Sequence, residues 1–94
     1  MKVYIAGKIT GNENFKKDFQ KAKEQLEKMI PNVSLLNPAD LPSGMSSADY
    51  MRICFSMIDI AEVVFFMKNY VESKGALLER QYCTYIRKKY IDLP

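Results

Sequence analysis

The stretch Val63-Val64-Phe65-Phe66-Met67-Lys68-Asn69-Tyr70-Val71-Glu72-Ser73-Lys74-Gly75-Ala76-Leu77-Leu78-Glu79 sets the fold. Its first five residues are continuously apolar, as a central strand covered on both faces of a sheet requires. Lys68 to Lys74 reads as a loop, and Gly75 opens a helix that runs to roughly Arg87. Buried strand, small-residue turn and helix start describe the carboxyl end of a strand in an open α/β sheet, where such sheets bind ligands. Glu79 falls about a turn and a half into that helix, near backbone amides able to hold an anion. A carboxylate there is a candidate nucleophile or sugar-hydroxyl partner. The competing reading is a solvated helix carboxylate paired to Arg80 or Lys74.

The chain on either side supplies the rest of the sheet. Ser46-Ser47-Ala48-Asp49 reads as a helix cap, with Ser46 and Asp49 spaced as in a capping box. The helix it opens carries Tyr50, Cys54, Met57 and Ala61 on one face, widened by Ile53 and Ile58. Glu62 to Met67 is then the third strand. Earlier, Val33 to Leu36 is a short strand followed by the proline-punctuated loop Asn37 to Pro42. Pro31-Asn32 ends a helix in which Phe15, Phe19, Ala22, Leu26 and Met29 recur at helical spacing, with Asn12 or Asn14 as its cap. Lys2 to Ala6 is the first strand and leads into the glycine-bounded loop Gly7-Lys8-Ile9-Thr10-Gly11. Downstream, Leu78, Tyr82 and Tyr85 share a stripe of the third helix, and Tyr90 to Leu93 form a short last strand. Strands alternating with helices imply right-handed crossovers and a parallel sheet. The expected architecture is one α/β domain over residues 1–94, a flavodoxin-like three-layer sandwich with about four parallel strands in the order 2-1-3-4. That order opens a crevice between strands 1 and 3, walled by the loops after Ala6 and Met67.

Bulk composition narrows the chemistry. The 94 residues suffice for one small core, and 48% hydrophobic with 27% charged residues is ordinary for a globular chain. A net charge of +3, with basic and acidic residues interleaved between Lys16 and Lys28, describes a solvated helix face and gives no reason to expect nucleic-acid binding. Apolar runs are too short for a membrane span, and the start Met1-Lys2-Val3-Tyr4 is strand-like, with no signal peptide visible, so a cytoplasmic location is expected. Cys54 and Cys83 lack metal-ligand spacing and read as buried thiols. The absence of histidine excludes a Ser-His-Asp or Cys-His triad and a histidine-bound metal within the chain. No metal and no cofactor are expected. Any acid–base chemistry falls to Asp, Glu, Lys, Tyr or Cys.

Four elements together resemble one family: Tyr4-Ile5-Ala6-Gly7 with Ile9-Thr10-Gly11, the loop Leu36-Asn37-Pro38-Ala39, the strand Ala61-Glu62-Val63-Val64-Phe65-Phe66, and Ser73-Lys74-Gly75-Ala76 followed by Glu79. In that order and spacing the chain resembles the nucleoside 2-deoxyribosyltransferase-like proteins, including their short phage-associated branch described as a domain of unknown function. It is also similar to nucleoside 5′-monophosphate N-glycosidases. The resemblance implies cleavage, by hydrolysis or transfer, of the N-glycosidic bond of a 2′-deoxynucleoside or its 5′-monophosphate. It makes Glu79 the nucleophile, with Tyr4 orienting it, and a small-molecule nucleoside or nucleotide the partner. Gly7, Lys8, Ile9, Gly11, Asn37, Ser73 and Gly75 are the implied substrate-binding positions. The alternative is a non-catalytic nucleotide-binding or phage accessory protein on the same fold. Serine at position 73 matches the monophosphate hydrolases, where transferases of free nucleosides carry aspartate. A hydroxyl with the amides of Lys74, Gly75 and Ala76 suits a phosphate, which an aspartate would repel. The chain departs from the pattern at Cys54, which stands where the enzymes carry an aspartate, and at Lys8, where the short branch usually has proline. Exposed Tyr82 and Tyr85 near Ile86, together with an apolar second helix, further imply a homodimer or higher homo-oligomer.

Overall fold

β1 (Lys2–Ala6) and β3 (Val63–Phe66) lie side by side and parallel at the centre of a four-stranded sheet, in a computed structural model that describes all residues 1–94. β2 (Ser34–Leu36) pairs parallel with the free side of β1, and β4 (Tyr90–Asp92) pairs parallel with that of β3, giving the order β2-β1-β3-β4. The crossovers are α1 (Phe15–Met29), α2 (Ser47–Ile60) and α3 (Lys74–Tyr85). The expected flavodoxin-like order is therefore present.

Strand alternation explains why β1 and β3 read as unbroken apolar runs. Val3 and Ile5 of β1, with Val63 and Phe65 of β3, pack against Phe19, Ala22 and Leu26 of α1. Tyr4 and Ala6, with Val64 and Phe66, face the other way, toward Cys54 and Ile58 of α2 and Cys83 of α3. One helix covers one face and two cover the other, which makes the three layers. Each large side chain so buried contributes about 1.5–3 kcal/mol.

Local signals act mostly as the residue types dictate. Ser46 Oγ accepts from the Asp49 amide at 3.1 Å and caps α2. Asn32 takes φ 56° just past α1, a left-handed conformation that asparagine tolerates well. Neither Asn12 nor Asn14 caps α1 with its side chain: Asn14 holds the cap position without a side-chain bond, while Asn12 Nδ2 braces Lys8 O and Asp18. The segment Lys68–Glu72 is a short 3-10 helix where a loop was expected, and Pro38–Asp40 is another. The larger correction concerns α3. Its inward residues are Ala76, Glu79 and Cys83, while Leu78 and Tyr85 of the expected stripe are exposed. The helix is turned so that a carboxylate, and not its largest apolar residues, meets the sheet. No helix of the chain is long and apolar enough to cross a membrane.

Candidate active site

Tyr4 stands on the face of β1 that looks toward α2 and α3, and α3 brings Glu79 down onto it. The Tyr4 hydroxyl donates to Glu79 Oε2 at 2.6 Å, inside the protein and across 75 positions of sequence. Glu79 is only 5% exposed and is the one charged side chain in the core, which rules out a solvated carboxylate paired to Arg80 or Lys74. A buried carboxylate without a countercharge resists ionisation. Burial accordingly pushes the Glu79 carboxyl from about 4.5 up to about 7, while hydrogen bonding from Tyr4 and Cys54 pulls part of the way back. Burial also holds the Tyr4 phenol well above its usual value, with Glu79 adding to the effect. The Cys54 thiol, facing the same pair from α2, is pushed up to about 11, chiefly by burial. The cluster is thus one carboxyl that titrates near neutrality between two donors that keep their protons.

Ser73 and Gly75 lie at the start of the helix that carries Glu79. Ser73 Oγ accepts from the Ala76 amide at 3.1 Å and caps α3. A side-chain carbon at Gly75 would reach Met51 Sδ at 3.5 Å and Ser73 Oγ at 3.9 Å, ordinary contacts, so close packing does not demand glycine there. Gly7 is different: a Cβ would sit 2.6 Å from Met67 Sδ and 3.1 Å from Asn69 Oδ1, so the chain leaving β1 is pressed against the chain leaving β3. Asn69 Oδ1 also accepts from the Lys8 amide at 3.1 Å, and the Lys8 ammonium lies 3.9 Å from Glu72. Gly11 has φ +77°, the turn that sends the loop back toward α1. These contacts join the two glycine-bearing segments, as the strand order requires.

Two expected positions point elsewhere. Ile9 packs against the apolar cluster on the α1 face, across the sheet from Glu79. Asn37 uses its side-chain oxygen to accept from the Ala39 amide at 3.0 Å and cap the turn Pro38–Asp40. Sequence pattern alone does not single out Asn69, whose only signal is its place three residues past β3. A surface hollow of about 290 Å³ opens beside the same segment, but on the α1 side, lined by residues that include Asp18, Gln25, Met67 and Asn69. Glu79 and Tyr4 do not line it. No three His, Cys, Asp or Glu side chains converge where they could hold a metal ion.

The chain belongs to the family described as domain of unknown function DUF4406, whose model matches residues 1–92. Its fold matches that of a 2-deoxyribosyltransferase from Leishmania mexicana, with a TM-score of 0.73 and 17% identity over 98% of this chain and 63% of that one. It also matches a 2-deoxyribosyltransferase from the psychrotolerant bacterium Bacillus psychrosaccharolyticus, with a TM-score of 0.74 and 19% identity over 98% of this chain and 71% of that one. This chain therefore spans less than two thirds of the Leishmania protein's length. No curated protein matches the sequence.

Proposed function

We propose that the protein cleaves the N-glycosidic bond of a 2′-deoxynucleoside or its 5′-monophosphate, with Glu79 as nucleophile and Tyr4 as the group that orients it. The observation that carries this reading is the buried Tyr4–Glu79 hydrogen bond at 2.6 Å. A carboxyl kept out of water and poised near pH 7 is costly to maintain and typical of a working group. In the reaction, a Glu79 oxygen bonds to the anomeric carbon as the C–N bond breaks. The bonding pair leaves with the base, which takes up a proton from solvent water, and a glycosyl ester remains. Attack by water frees the sugar, and attack by a second base completes a transfer; either one releases the carboxylate. Similarity of fold to two deoxyribosyltransferases supports the substrate class.

The phosphorylated substrate is favoured by Ser73, whose hydroxyl stands at the α3 start with the amides of Lys74 and Gly75, and by the nearby Lys8 ammonium. Gly11, with only Lys8 Cε at 3.8 Å from a side-chain carbon placed there, leaves room for a ligand to approach the backbone, while Gly7 lets the loop after β1 close on Met67 and Asn69 beside it. Exposed Tyr85, Leu78, Ile60 and Ile86 supply an apolar surface suited to a homodimer or larger assembly.

A second reading rests on Cys54. A thiol held at about 11 is a poor proton donor to a departing base, so the same site would serve a nucleotide-binding module without turnover. Incubating the protein with a panel of deoxynucleosides and their monophosphates, then resolving free base by chromatography, separates the two. Base release supports the enzyme. Thermal stabilisation by a nucleotide without base release supports the binding module, and neither outcome with any compound would refute both.

A further inference from the structure

Arg80 follows Glu79 directly and is held in an unusual setting. Its guanidinium lies 4.5 Å from the ring centroid of Tyr70, 4.5 Å from that of Tyr90 and 5.0 Å from that of Phe66. It also donates to both carboxylate oxygens of Asp92, at 2.7 and 3.5 Å. Tyr90 and Asp92 are two residues apart on β4, so strand alternation turns both to the α3 side. One side chain of α3 thus grips β3, β4 and the short helix Lys68–Glu72 at once.

That grip reaches the candidate site by two routes. The first is through Tyr70, whose carbonyl accepts from the Ser73 amide at 3.1 Å, while Ser73 Oγ in turn caps α3. The second is the rotation of α3 itself. The inward stripe of this helix is Ala76, Glu79 and Cys83, which offers no large apolar side chain to key it against the sheet. Its orientation must be fixed from the flanks. At about 100° per residue, Arg80 lies to one side of Glu79 and Tyr82 about 60° to the other. Tyr82 stacks on Phe55 of α2 at 4.3 Å and donates to Asp59 at 2.6 Å. Arg80 is the matching anchor on the β4 side.

We propose that Arg80 is a positioning residue for Glu79: by filling the space between Phe66, Tyr70 and Tyr90 and holding Asp92, it fixes the rotation of α3 and the seat of Ser73, and so keeps the Glu79 carboxyl against Tyr4. The proposal deepens the reading of Glu79 as the reacting group and rests on it, yet its test needs no turnover. The Glu79 carboxyl is followed by NMR in full-length protein carrying ¹³C-labelled glutamate, its resonance identified by its absence in Glu79→Gln. The variants are Arg80→Leu and Arg80→Lys, each first shown to unfold cooperatively.

In wild type burial holds the carboxyl up at about 7, with Tyr4 and Cys54 pulling it part of the way back and the Cys83 thiol as its other titratable neighbour. In Arg80→Leu the midpoint is expected to fall by about one pH unit or more, as a loosened helix lets water reach the carboxylate. Arg80→Lys, which keeps the charge facing Asp92 and the rings, should recover at least half of the difference. The sign is diagnostic, because mere loss of a neighbouring positive charge would raise the midpoint. A midpoint that stays in place or rises in Arg80→Leu overturns the proposal. If Arg80→Leu does not fold, Tyr70→Leu tests the same contact, with the same fall expected and an unmoved midpoint equally fatal. An inert protein whose Glu79 titration depends on Arg80 would sink the enzyme reading alone. An active one whose titration ignores Arg80 would sink only this proposal.

Discussion

Replacing Glu79 with glutamine should change how stability depends on pH, and the size of the change follows from the setting of the carboxyl. In the unfolded chain this group gives up its proton near 4.5, while in the folded protein it keeps it up to about 7. Between those values the folded state holds the extra proton, so stability falls as pH rises through the window. The loss begins above about 4.5 and is complete above about 7. The difference, 7 − 4.5, at 1.36 kcal/mol per pH unit, amounts to about 3 kcal/mol. Against a typical domain stability of about 5–15 kcal/mol that is a large fraction. Tyr4, Cys54 and Cys83 are all pushed upward and release their protons only at higher pH, so they leave this window to Glu79. Glutamine keeps an oxygen to accept from Tyr4 but cannot ionise. Urea unfolding followed by circular dichroism from pH 4 to 8.5 should therefore show wild type losing about 3 kcal/mol across the window while Glu79→Gln stays nearly flat. At pH 8 the variant should be the more stable by about 2 kcal/mol, after allowing about 1 kcal/mol for a weaker acceptor. Parallel pH curves for the two proteins would refute the buried, uncompensated carboxyl on which the site is built.

Tyr4→Phe removes a donor that lowers the Glu79 pKa. The acidic limb of the pH–rate profile should move to higher pH, because the nucleophile must be ionised, and urea unfolding should show a loss of about 1–2 kcal/mol. Ser73→Asp places a negative charge at the helix start proposed for phosphate, so relative kcat/KM should shift toward unphosphorylated deoxynucleosides by about tenfold or more, corresponding to about 1.4 kcal/mol. Light scattering at tens of micromolar should report at least a dimer, and Tyr85→Lys, at a side chain 87% exposed, should weaken it; a wild-type monomer would contradict the proposed assembly.

The sheet was legible because both central strands are covered on both faces, which leaves an apolar run in the sequence that nothing else explains. Val63 to Phe66 announced its own burial, and Gly7, Pro31 and Pro38 marked where elements end. The rotation of α3 was not legible. Leu78, Tyr82 and Tyr85 outweigh Ala76, Glu79 and Cys83 in apolar surface, and periodicity ranks faces by that surface alone. The buried Glu79 is accommodated by Tyr4, 75 positions away, and by Cys54 on another helix, and no local window contains them all. Glu79 stood out by its place in the helix after the third strand, whereas its pairing with Tyr4 came only from resemblance to a family. Asn69 and Arg80 escaped for the same reason: their partners at Lys8, Tyr90 and Asp92 lie in other elements. Ile9 and Asn37 were drawn toward the site by membership in a motif, whereas their side chains serve the α1-side core and a local cap.

The central claim is that Glu79 bonds to the anomeric carbon. A 2′-fluorinated deoxynucleoside, or its 5′-monophosphate, destabilises the cationic transition state for hydrolysing the ester and lets the covalent intermediate accumulate. Intact-mass spectrometry of the protein after incubation, followed by peptide mapping, reads that intermediate directly. The account predicts a stoichiometric gain of one glycosyl group, located on Glu79, accompanied by release of free base and absent from Glu79→Gln. An adduct on another residue, or base released at the wild-type rate by Glu79→Gln, would contradict it.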